Sequence, residues 1–161
     1  MVSASAPPIL LVMCTGNVCR SPMAEALFVH HLTKRQLQAT VISRGLAAPI
    51  GRLPHSHAIE VAQRKGVPID PDKRAAMVTS ADVAMADIIF VMETEQRREI
   101  QRRFPMASGK IFLLGQWRGQ EIVDPINQPL SVFEHVWDLC AAGVEEWVSR
   151  LTEAGILRPA L

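Results

Sequence analysis

The segment from Ile9 to Ser21 constrains the fold more than any other part of this 161-residue chain. Its first five residues, Ile-Leu-Leu-Val-Met, form a continuous apolar run between two prolines and the Gly16-Asn17 pair. A run this short and this apolar predicts a strand buried on both faces, as in a parallel sheet covered by helices. Ser21-Pro22 then opens a helical pattern, with Ser21 suited to the N-cap and Pro22 to the first helical position.

The loop between this strand and this helix combines a thiol with a guanidinium in the spacing Cys-x5-Arg, from Cys14 to Arg20. Gly16 and Asn17 tolerate positive φ, so the loop can close into a ring whose backbone N–H groups point inward and bind an anion. The helix dipole adds positive charge, and a guanidinium can donate two parallel hydrogen bonds to a phosphate. Thiols beside cations and helix N-termini ionise readily. The pattern therefore predicts a Cys14 thiolate that faces a bound phosphoryl group.

The Cys-x5-Arg spacing by itself is a weak signal, because most unpaired cysteines are inert, buried hydrophobic residues. Its context makes it specific, since a strand precedes it, Gly-Asn lies inside it, and Ser-Pro and a helix follow. The run Cys14-Thr-Gly-Asn-Val-Cys-Arg-Ser-Pro22, followed by Met-Ala-Glu-Ala, resembles the phosphate loop of the low-molecular-weight protein tyrosine phosphatases. The resemblance continues, with gaps, from near residue 9 almost to the C-terminus. It implies that the phosphate ligands are Thr15, Gly16, Asn17, Val18, Cys19, Arg20 and Ser21.

Length, charge and cysteine content restrict what else the chain can be. The 161 residues suffice for one domain with its own core, expected over residues 9–161 after a loose leader at residues 1–8. A net charge of +1 argues against a nucleic-acid binder. Three cysteines do not make a disulfide framework and fit a reducing cytoplasm. The apolar run at residues 9–13 is too short to span a membrane and has no basic residue before it, so membrane insertion is not expected.

Four apolar segments alternate with helical patterns along the chain. Crossovers of this length allow parallel pairing with right-handed connections. The sequence therefore predicts an α/β fold, a four-stranded parallel sheet of order 2-1-3-4 flanked by helices on both faces, and the resemblance implies the same fold. The predicted strands are residues 9–13, 39–43, 87–92 and 110–114, and the predicted helices are about 22–37, 55–65, 79–85, 94–104 and 133–151.

The long loop from Gly115 to Pro129 is the second candidate for chemistry, because a structureless loop of this length is usually functional. Asp124-Pro125 resembles the Asp-Pro of the family's general-acid loop, which implies that Asp124 is the acid. An isolated Asp-Pro is more often a turn, but its place after the fourth strand favours the catalytic interpretation. Trp117 is expected to be structural, although a folded-back loop would bring its ring to the substrate.

The phosphate loop needs support from other parts of the chain. The resemblance implies that Ser43, at the end of the second strand, hydrogen-bonds Asn17. Family members usually brace this asparagine with a histidine as well, whereas this chain has Asp70, Asp72 and Lys73 in the corresponding region.

Two acids lie near the predicted site. Glu25 is either a first-turn acid that complements the helix dipole or a side chain that holds Arg20. Glu93 follows the third strand, where it is either a supporting residue or an ordinary helix-start acid.

The walls of the cleft depart from the family pattern. Relatives often have aromatic side chains on the loop at residues 44–54 and directly after Asp-Pro, whereas Ile126-Asn127 stand here and the chain has no tyrosine. This predicts aliphatic walls, which alter affinity and substrate breadth rather than the chemistry. The expected wall residues of the first loop are Leu46, Pro49, Ile50 and Leu53.

Together these residues predict hydrolysis of phosphotyrosine without a metal or another cofactor. The Cys14 thiolate attacks phosphorus in line while Arg20 and the loop N–H groups hold the equatorial oxygens. Asp124 protonates the leaving oxygen and later takes the proton of the water that hydrolyses the phosphocysteine. Ser21 can donate to the sulfur. The resemblance also implies a reversible Cys14–Cys19 disulfide, the alternative being that Cys19 merely packs the loop.

Three other functions share parts of the pattern. Arsenate reductases relay oxidation through further cysteines, and none lies between Cys19 and Cys140. Protein arginine phosphatases carry threonine where this chain has Val18, and a branched apolar side chain suits phosphotyrosine. A phosphate-binding module without turnover would not require both Cys14 and Asp124.

The resemblance also suggests a partner. Residues 109–117 and 121–125 are most similar to bacterial members that dephosphorylate tyrosine autokinases of capsule or exopolysaccharide export. The expected partner is therefore a phosphotyrosyl protein, with such an autokinase as the specific candidate, and the expected state of the phosphatase is a monomer.

Overall fold

The computed structural model describes residues 6–160, which form alternating strands and helices. Of the predicted leader, residues 1–5 lie outside the described residues, and 6–8 have no regular structure. The 3₁₀ turns described are Pro105–Lys110 and Gln116–Arg118. The strands are β1 (Ile9–Cys14), β2 (Leu37–Gln38), β3 (Thr40–Gly45), β4 (Ile88–Val91), β5 (Ile111–Leu113) and β6 (Arg158–Pro159). The helices are α1 (Arg20–Lys34), α2 (Ser56–Arg64), α3 (Ser80–Met85), α4 (Thr94–Arg103) and α5 (Leu130–Glu153).

The central sheet has the order β3-β1-β4-β5, and all of its pairs are parallel. The four predicted strands correspond to β1, β3, β4 and β5. Numbered 1 to 4 in that sequence, they have the order 2-1-3-4, so the predicted topology is confirmed. Leu11 pairs with Ile42 on one side and with Ile89 on the other, which makes β1 a central strand. The carboxyl end of β1 therefore lies where ligands bind in open α/β sheets.

The end of the first helix differs from the prediction. α1 ends at Lys34 rather than near residue 37, because Gln36 adopts a positive φ of 56° that redirects the chain. Leu37 instead starts β2, which pairs antiparallel with β6. This small ribbon was not predicted, since two residues are too few to give a periodic pattern.

Alternate residues of β1 face opposite layers of helices. Leu10 and Val12 belong to the core that α1 and α5 cover, whereas Leu11 and Met13 belong to the core beneath α3 and α4. Burial on both faces explains the continuous apolar run, and the prediction of helices on both faces is confirmed. Among residues 6–160, no helix combines the length and the apolar composition that crossing a membrane requires.

The long helix α5 packs closely against the end of β5. The predicted apolar stripe of α5 is buried, and the Trp147 indole contacts the Phe90 ring at 5.0 Å and donates to the Leu113 carbonyl at 3.1 Å. Gly143 permits the approach, because a Cβ at this position would lie 2.7 Å from the Leu114 carbonyl oxygen. That oxygen is part of the backbone and cannot rotate away.

Gly143→Ala is expected to destabilise the protein by about 1 to 3 kcal/mol, the usual effect of overpacking. Helix propensity alone predicts the opposite, a gain of roughly 1 kcal/mol, so the sign of the change is informative. Urea denaturation measures it. Gly109→Ala is the matched control, because a Cβ there has no atom within 4 Å. A stabilised Gly143→Ala variant would contradict the close approach.

Candidate active site

The thiol predicted as the nucleophile lies at the end of the central strand. Cys14 is the last residue of β1, and only 2% of it is exposed. Its Sγ lies 3.0 Å from the Ser21 hydroxyl oxygen. The prediction that Ser21 caps α1 is wrong, because the helix begins at Arg20 with Cys19 at the N-cap and no side chain caps it. The Ser21 hydroxyl is directed to the sulfur instead, and the first amides of the helix are left without a side-chain acceptor.

The loop after Cys14 owes its shape to one residue in the left-handed region. Asn17 has a φ of 55°, and its N–H donates to the Cys14 sulfur at 3.2 Å. Both Gly16 and Asn17 were predicted to be suited to positive φ, but Gly16 does not adopt it. Asparagine is one of the few side-chain-bearing residues that populate this region readily.

The carbonyl groups of the loop are turned away from the pocket. Those of Cys14, Thr15 and Val18 accept hydrogen bonds from backbone N–H groups of the segment 46–55. Gly45 allows this packing, because a Cβ there would lie 2.7 Å from the Thr15 carbonyl oxygen. With its carbonyls bonded outside, the loop presents N–H groups inside, as an anion site requires.

Arg20 is buried, with 2% of its side chain exposed, and three groups satisfy its guanidinium. Nη1 donates to the Ile122 carbonyl at 2.8 Å and lies 3.1 Å from Glu93 Oε2. Nη2 lies 3.6 Å from Asp124 Oδ2. Glu25 is not among these partners, so the prediction that it holds Arg20 is wrong. Its other predicted role, a first-turn acid, is also wrong, because α1 begins at Arg20 and has no acid in its first turn. Glu93 has both of its predicted roles, since it also forms the capping box of α4.

Asp124 lies at the mouth of the same pocket as Cys14. The pocket has a volume of about 120 Å³ and is lined by Cys14, Thr15, Gly16, Val18, Cys19, Arg20, Asp124 and Ile126. The Asp124 side chain is 41% exposed, and its Oδ1 accepts from the Ile126 N–H at 3.1 Å. Because the Ile122 N–H donates to the Met92 carbonyl, the acid loop is tied to the end of β4. A thiol, a guanidinium and a carboxyl group thus share one small cavity.

The comparisons with known proteins agree with this geometry. The sequence profile of the family described as "Low molecular weight phosphotyrosine protein phosphatase" matches residues 9–156. The chain belongs to this family. It is 38% identical over 146 residues to the "Probable low molecular weight protein-tyrosine-phosphatase EpsP" of Ralstonia nicotianae, a match that covers 91% of this chain and 97% of the relative.

Solved structures of other phosphatases superpose closely. The structure of Wzb from Vibrio vulnificus in complex with benzylphosphonate has a TM-score of 0.84 at 34% identity, covering 91% of this chain and all (100%) of the other. The YwlE arginine phosphatase from Geobacillus stearothermophilus has a TM-score of 0.83 at 30% identity, covering 92% and 95%.

In this phosphatase Asn17 is held from three sides. Its Nδ2 donates to the Ser21 hydroxyl at 2.7 Å and to the Ser43 hydroxyl at 3.0 Å. Its Oδ1 accepts from the Ala76 N–H at 3.0 Å. The contact with Ser43 is the one that the resemblance implied. Ser43 in turn donates to Glu25 Oε1 at 3.0 Å, so Glu25 supports the loop through Ser43 rather than through Arg20.

Gln96 also supports the phosphate loop, a role that no sequence pattern indicates. It is buried near the start of α4, where its Oε1 accepts from the N–H groups of Met92 and Glu93. Its Nε2 donates to the Thr15 hydroxyl at 3.1 Å. A glutamine in a strongly charged helix reads as a surface residue, and only the packing of α4 on the loop shows otherwise.

Two aliphatic side chains, Val18 and Ile126, line the pocket of this phosphatase, so the prediction of an aliphatic wall is confirmed for Ile126. The lining does not include Pro49, Ile50 or Leu53 from the first loop, and Ile50 and Leu53 are exposed. The prediction for Leu46 is wrong, because this side chain is buried in the core beneath α3 and α4.

Trp117 has the structural role that was expected. Its ring packs on Trp147 at 5.2 Å, and the Arg150 guanidinium lies 3.7 Å above it. Two histidines near the start of α2, His55 and His57, pack on Phe133. Within residues 6–160, no cluster of three or more His, Cys, Asp or Glu side chains is arranged to hold a metal ion.

The two other cysteines are held as thiols. Burial raises the pKa of Cys19 to about 12, and the nearby Asp124 and Cys14 act in the same direction. Burial likewise raises the pKa of Cys140 to about 12. Cys140 lies in the core between α5 and the sheet.

Iodoacetamide at neutral pH is therefore expected to modify Cys14 first, because the thiolate is the reactive form and Cys19 and Cys140 are protonated. Mass spectrometry of the digested protein identifies the modified residue. Inorganic phosphate should slow the reaction at Cys14, whereas in guanidinium chloride all three thiols should react at similar rates. Labelling of Cys140 as fast as Cys14 in the native protein would contradict this description.

Proposed function

We propose that this chain hydrolyses phosphotyrosine in proteins through a phosphocysteine intermediate, with Cys14 as nucleophile, Arg20 and the amides of residues 15–21 as phosphate ligands, and Asp124 as general acid. The observation that carries the proposal is the shared pocket, in which Cys14 forms the floor and Asp124 stands at the mouth beside Arg20. Membership of the phosphatase family supports it independently.

In the first step the Cys14 sulfur attacks phosphorus in line with the leaving tyrosine oxygen. The negative charge of the transition state is spread over three equatorial oxygens, which the loop amides and Arg20 are placed to hold. Arg20 is almost fully buried, so its donors act in a region from which water is excluded and where electrostatic stabilisation is strongest. Asp124 protonates the tyrosine oxygen as it leaves.

In the second step water hydrolyses the phosphocysteine. Asp124, now ionised, takes a proton from the attacking water, and the Cys14 sulfur is the leaving group. The Ser21 hydroxyl, 3.0 Å from that sulfur, is placed to donate a hydrogen bond as negative charge returns to it. The step thus regenerates the thiolate.

The size of the required rate acceleration indicates how much of it the general acid supplies and how much the nucleophile and the phosphate loop must supply. Phosphate monoesters hydrolyse so slowly in water that enzymes accelerate the reaction by up to about 10²¹-fold. A general acid accounts for roughly 10²- to 10⁴-fold of this. The nucleophile and the electrostatics of the phosphate loop must supply most of the remainder.

Asp124→Asn is expected to reduce kcat by roughly 10²- to 10⁴-fold for aryl phosphates with poor leaving groups, because these need a proton as they depart. Esters of acidic phenols, such as para-nitrophenyl phosphate, should be slowed much less. Steady-state kinetics over a series of substituted phenyl phosphates measures the difference. Cys14→Ser, the negative control, should abolish turnover. Equal slowing of all esters by Asp124→Asn would remove Asp124 from the acid role.

A protein arginine phosphatase is the second candidate, because the YwlE arginine phosphatase structure superposes on this chain. The side chain of Val18 argues against it. Val18 lines the pocket and offers only methyl groups, which suit an aromatic ring, whereas a guanidinium would be left without an acceptor there.

The protein is expected to dephosphorylate phosphotyrosine peptides at least tenfold faster than phosphoarginine or phosphoserine peptides of the same sequence, a margin typical of one unpaired polar group. Release of inorganic phosphate measures all three. Val18→Thr is nearly isosteric and supplies the missing acceptor. It should therefore reduce the difference in rate between the phosphotyrosine and the phosphoarginine peptides. Faster turnover of phosphoarginine by the unmodified protein would favour the second candidate, and no turnover of any peptide would favour a silent phosphate-binding module.

The physiological setting is also a proposal. The resemblance of residues 109–117 and 121–125 to bacterial enzymes of capsule or exopolysaccharide export supports a tyrosine autokinase as the substrate. The three cysteines, which do not make a disulfide framework, support a reducing cytoplasm as the location. The matched region, residues 9–156, supports a single phosphatase domain over 9–161. Cys19 lines the same pocket as Cys14, which supports Cys19 as the redox partner.

A further inference from the structure

A lysine and a glutamate are paired beneath the phosphate loop, where few charges are expected. The Lys73 side chain is only 10% exposed and that of Glu25 is 22% exposed. Lys73 Nζ lies 3.8 Å from Glu25 Oε1 and donates to the Ser43 carbonyl at 3.1 Å. Arg44 and Asp70 are the other charged groups that influence the Glu25 carboxylate, and Arg44 and Cys14 are those that influence Lys73 besides Glu25. Removing two charges from water costs free energy, so a buried ion pair in this place suggests a role other than stability.

Unbroken hydrogen bonds join this pair to the nucleophile. Ser43 Oγ donates to Glu25 Oε1 at 3.0 Å. Asn17 Nδ2 donates both to Ser43 Oγ, at 3.0 Å, and to Ser21 Oγ, at 2.7 Å. Ser21 Oγ lies 3.0 Å from the sulfur of Cys14. Each of these contacts is buried or partly buried, so water competes little for the donors.

The order of donors follows from the charge of Glu25. An ionised carboxylate only accepts, so Ser43 gives its hydroxyl hydrogen to Glu25 and accepts from Asn17. The oxygen of Ser21 accepts the second hydrogen of the same amide, which leaves the Ser21 hydrogen free for the Cys14 sulfur. Burial raises the pKa of Glu25 and thus favours its neutral form, and the Lys73 ammonium is the strongest influence in the opposite direction.

We propose that Lys73 and Glu25 are positioning residues of the phosphatase reaction, an ion pair that fixes the Ser43 hydroxyl and thereby keeps the Ser21 hydroxyl directed at the Cys14 sulfur. This inference rests on the proposed function, in which sulfur departs as a thiolate from the phosphocysteine. The pair therefore acts on the step that returns charge to sulfur. Phosphate binding by Arg20 and the loop amides depends on the pair much less, because the Ala76 N–H also holds Asn17 in place.

Lys73→Met and Glu25→Gln each test the proposal in the full-length protein with para-nitrophenyl phosphate as substrate. Each is expected to lower kcat about tenfold, the effect of weakening one charge-assisted hydrogen bond, and to change KM less than about twofold. Alkylation of Cys14 by iodoacetamide, followed by mass spectrometry, should require a pH about one unit higher. Thermal unfolding shows whether each variant is folded. If one of them is not, the other still tests the proposal.

Two further variants separate positioning from general stability. Lys65→Met removes an exposed lysine that pairs with Asp138 at 3.7 Å, and it should leave kcat and the alkylation profile unchanged. Lys73→Arg keeps the charge and the donors, and it should restore most of the activity lost in Lys73→Met. Ser43→Ala interrupts the hydrogen-bond path, so adding Lys73→Met to it should lower kcat less than about twofold further.

Other results would overturn the proposal. For the single variants, these are an unchanged kcat in both folded proteins, a loss of kcat/KM that comes entirely from a higher KM, or an unchanged alkylation profile. For the double variant, the contradicting result is a fall in kcat equal to the product of the falls in Ser43→Ala and Lys73→Met. The alkylation profile does not depend on turnover. If the unmodified protein hydrolysed no phosphate ester, the proposed function would fail, and the profile would still decide whether the pair positions the thiol.

Discussion

A buried guanidinium joins the two halves of the site. Arg20 belongs to the helix that follows the phosphate loop, and its partners come from the end of β4 and from the loop after β5. Leaving one of these donors unpaired in the interior would be costly, so the need to satisfy Arg20 fixes where the acid loop must lie. The Ile122 carbonyl is only two residues from Asp124, so this contact holds the Asp124 carboxyl group at the pocket that Cys14 also lines.

The start of α1 shows how function departs from the best local structure. A Ser or Thr cap is worth about 0.5 to 2 kcal/mol to a helix, yet Cys19 stands at the N-cap and makes no side-chain hydrogen bond. The serine that looks like a cap lies within the helix and contacts the sulfur. The amides at this end are thereby kept available for an anion, and the helix is held in place by tertiary packing instead.

The fold and the convergence of Cys14, Arg20 and Asp124 on one pocket could be predicted from the sequence because each leaves a local signal. The apolar run of β1 reports burial on both faces, and Cys14, Arg20 and Asp124 belong to short motifs. Gln96 and Lys73 leave no such signal. A charged or polar side chain in a helix or an irregular loop is usually solvated, and its burial here depends on how distant elements pack.

The same limit explains the wrong predictions. Ser21 was expected at the N-cap because the sequence does not show that Asn17 and Cys14 occupy its hydroxyl group. Leu46 was expected in the cleft because it lies in an irregular loop, but the parallel pairing of β3 with β1 directs its side chain into the core. Both errors concern the direction of a side chain, which sequence patterns define less well than the type of element.

The contacts of the site also determine when it can form during folding. The hydrogen bond from Arg20 to the Ile122 carbonyl spans 102 residues, and the one from the Ala76 N–H to Asn17 spans 59. Contacts between such distant residues form only after the entropic cost of closing the intervening chain has been met. A nascent chain that ends before residue 76 therefore carries Cys14 without the groups that hold its loop. The surroundings of the Cys14 thiol are therefore assembled only after the segment that carries Ile122 has been synthesised.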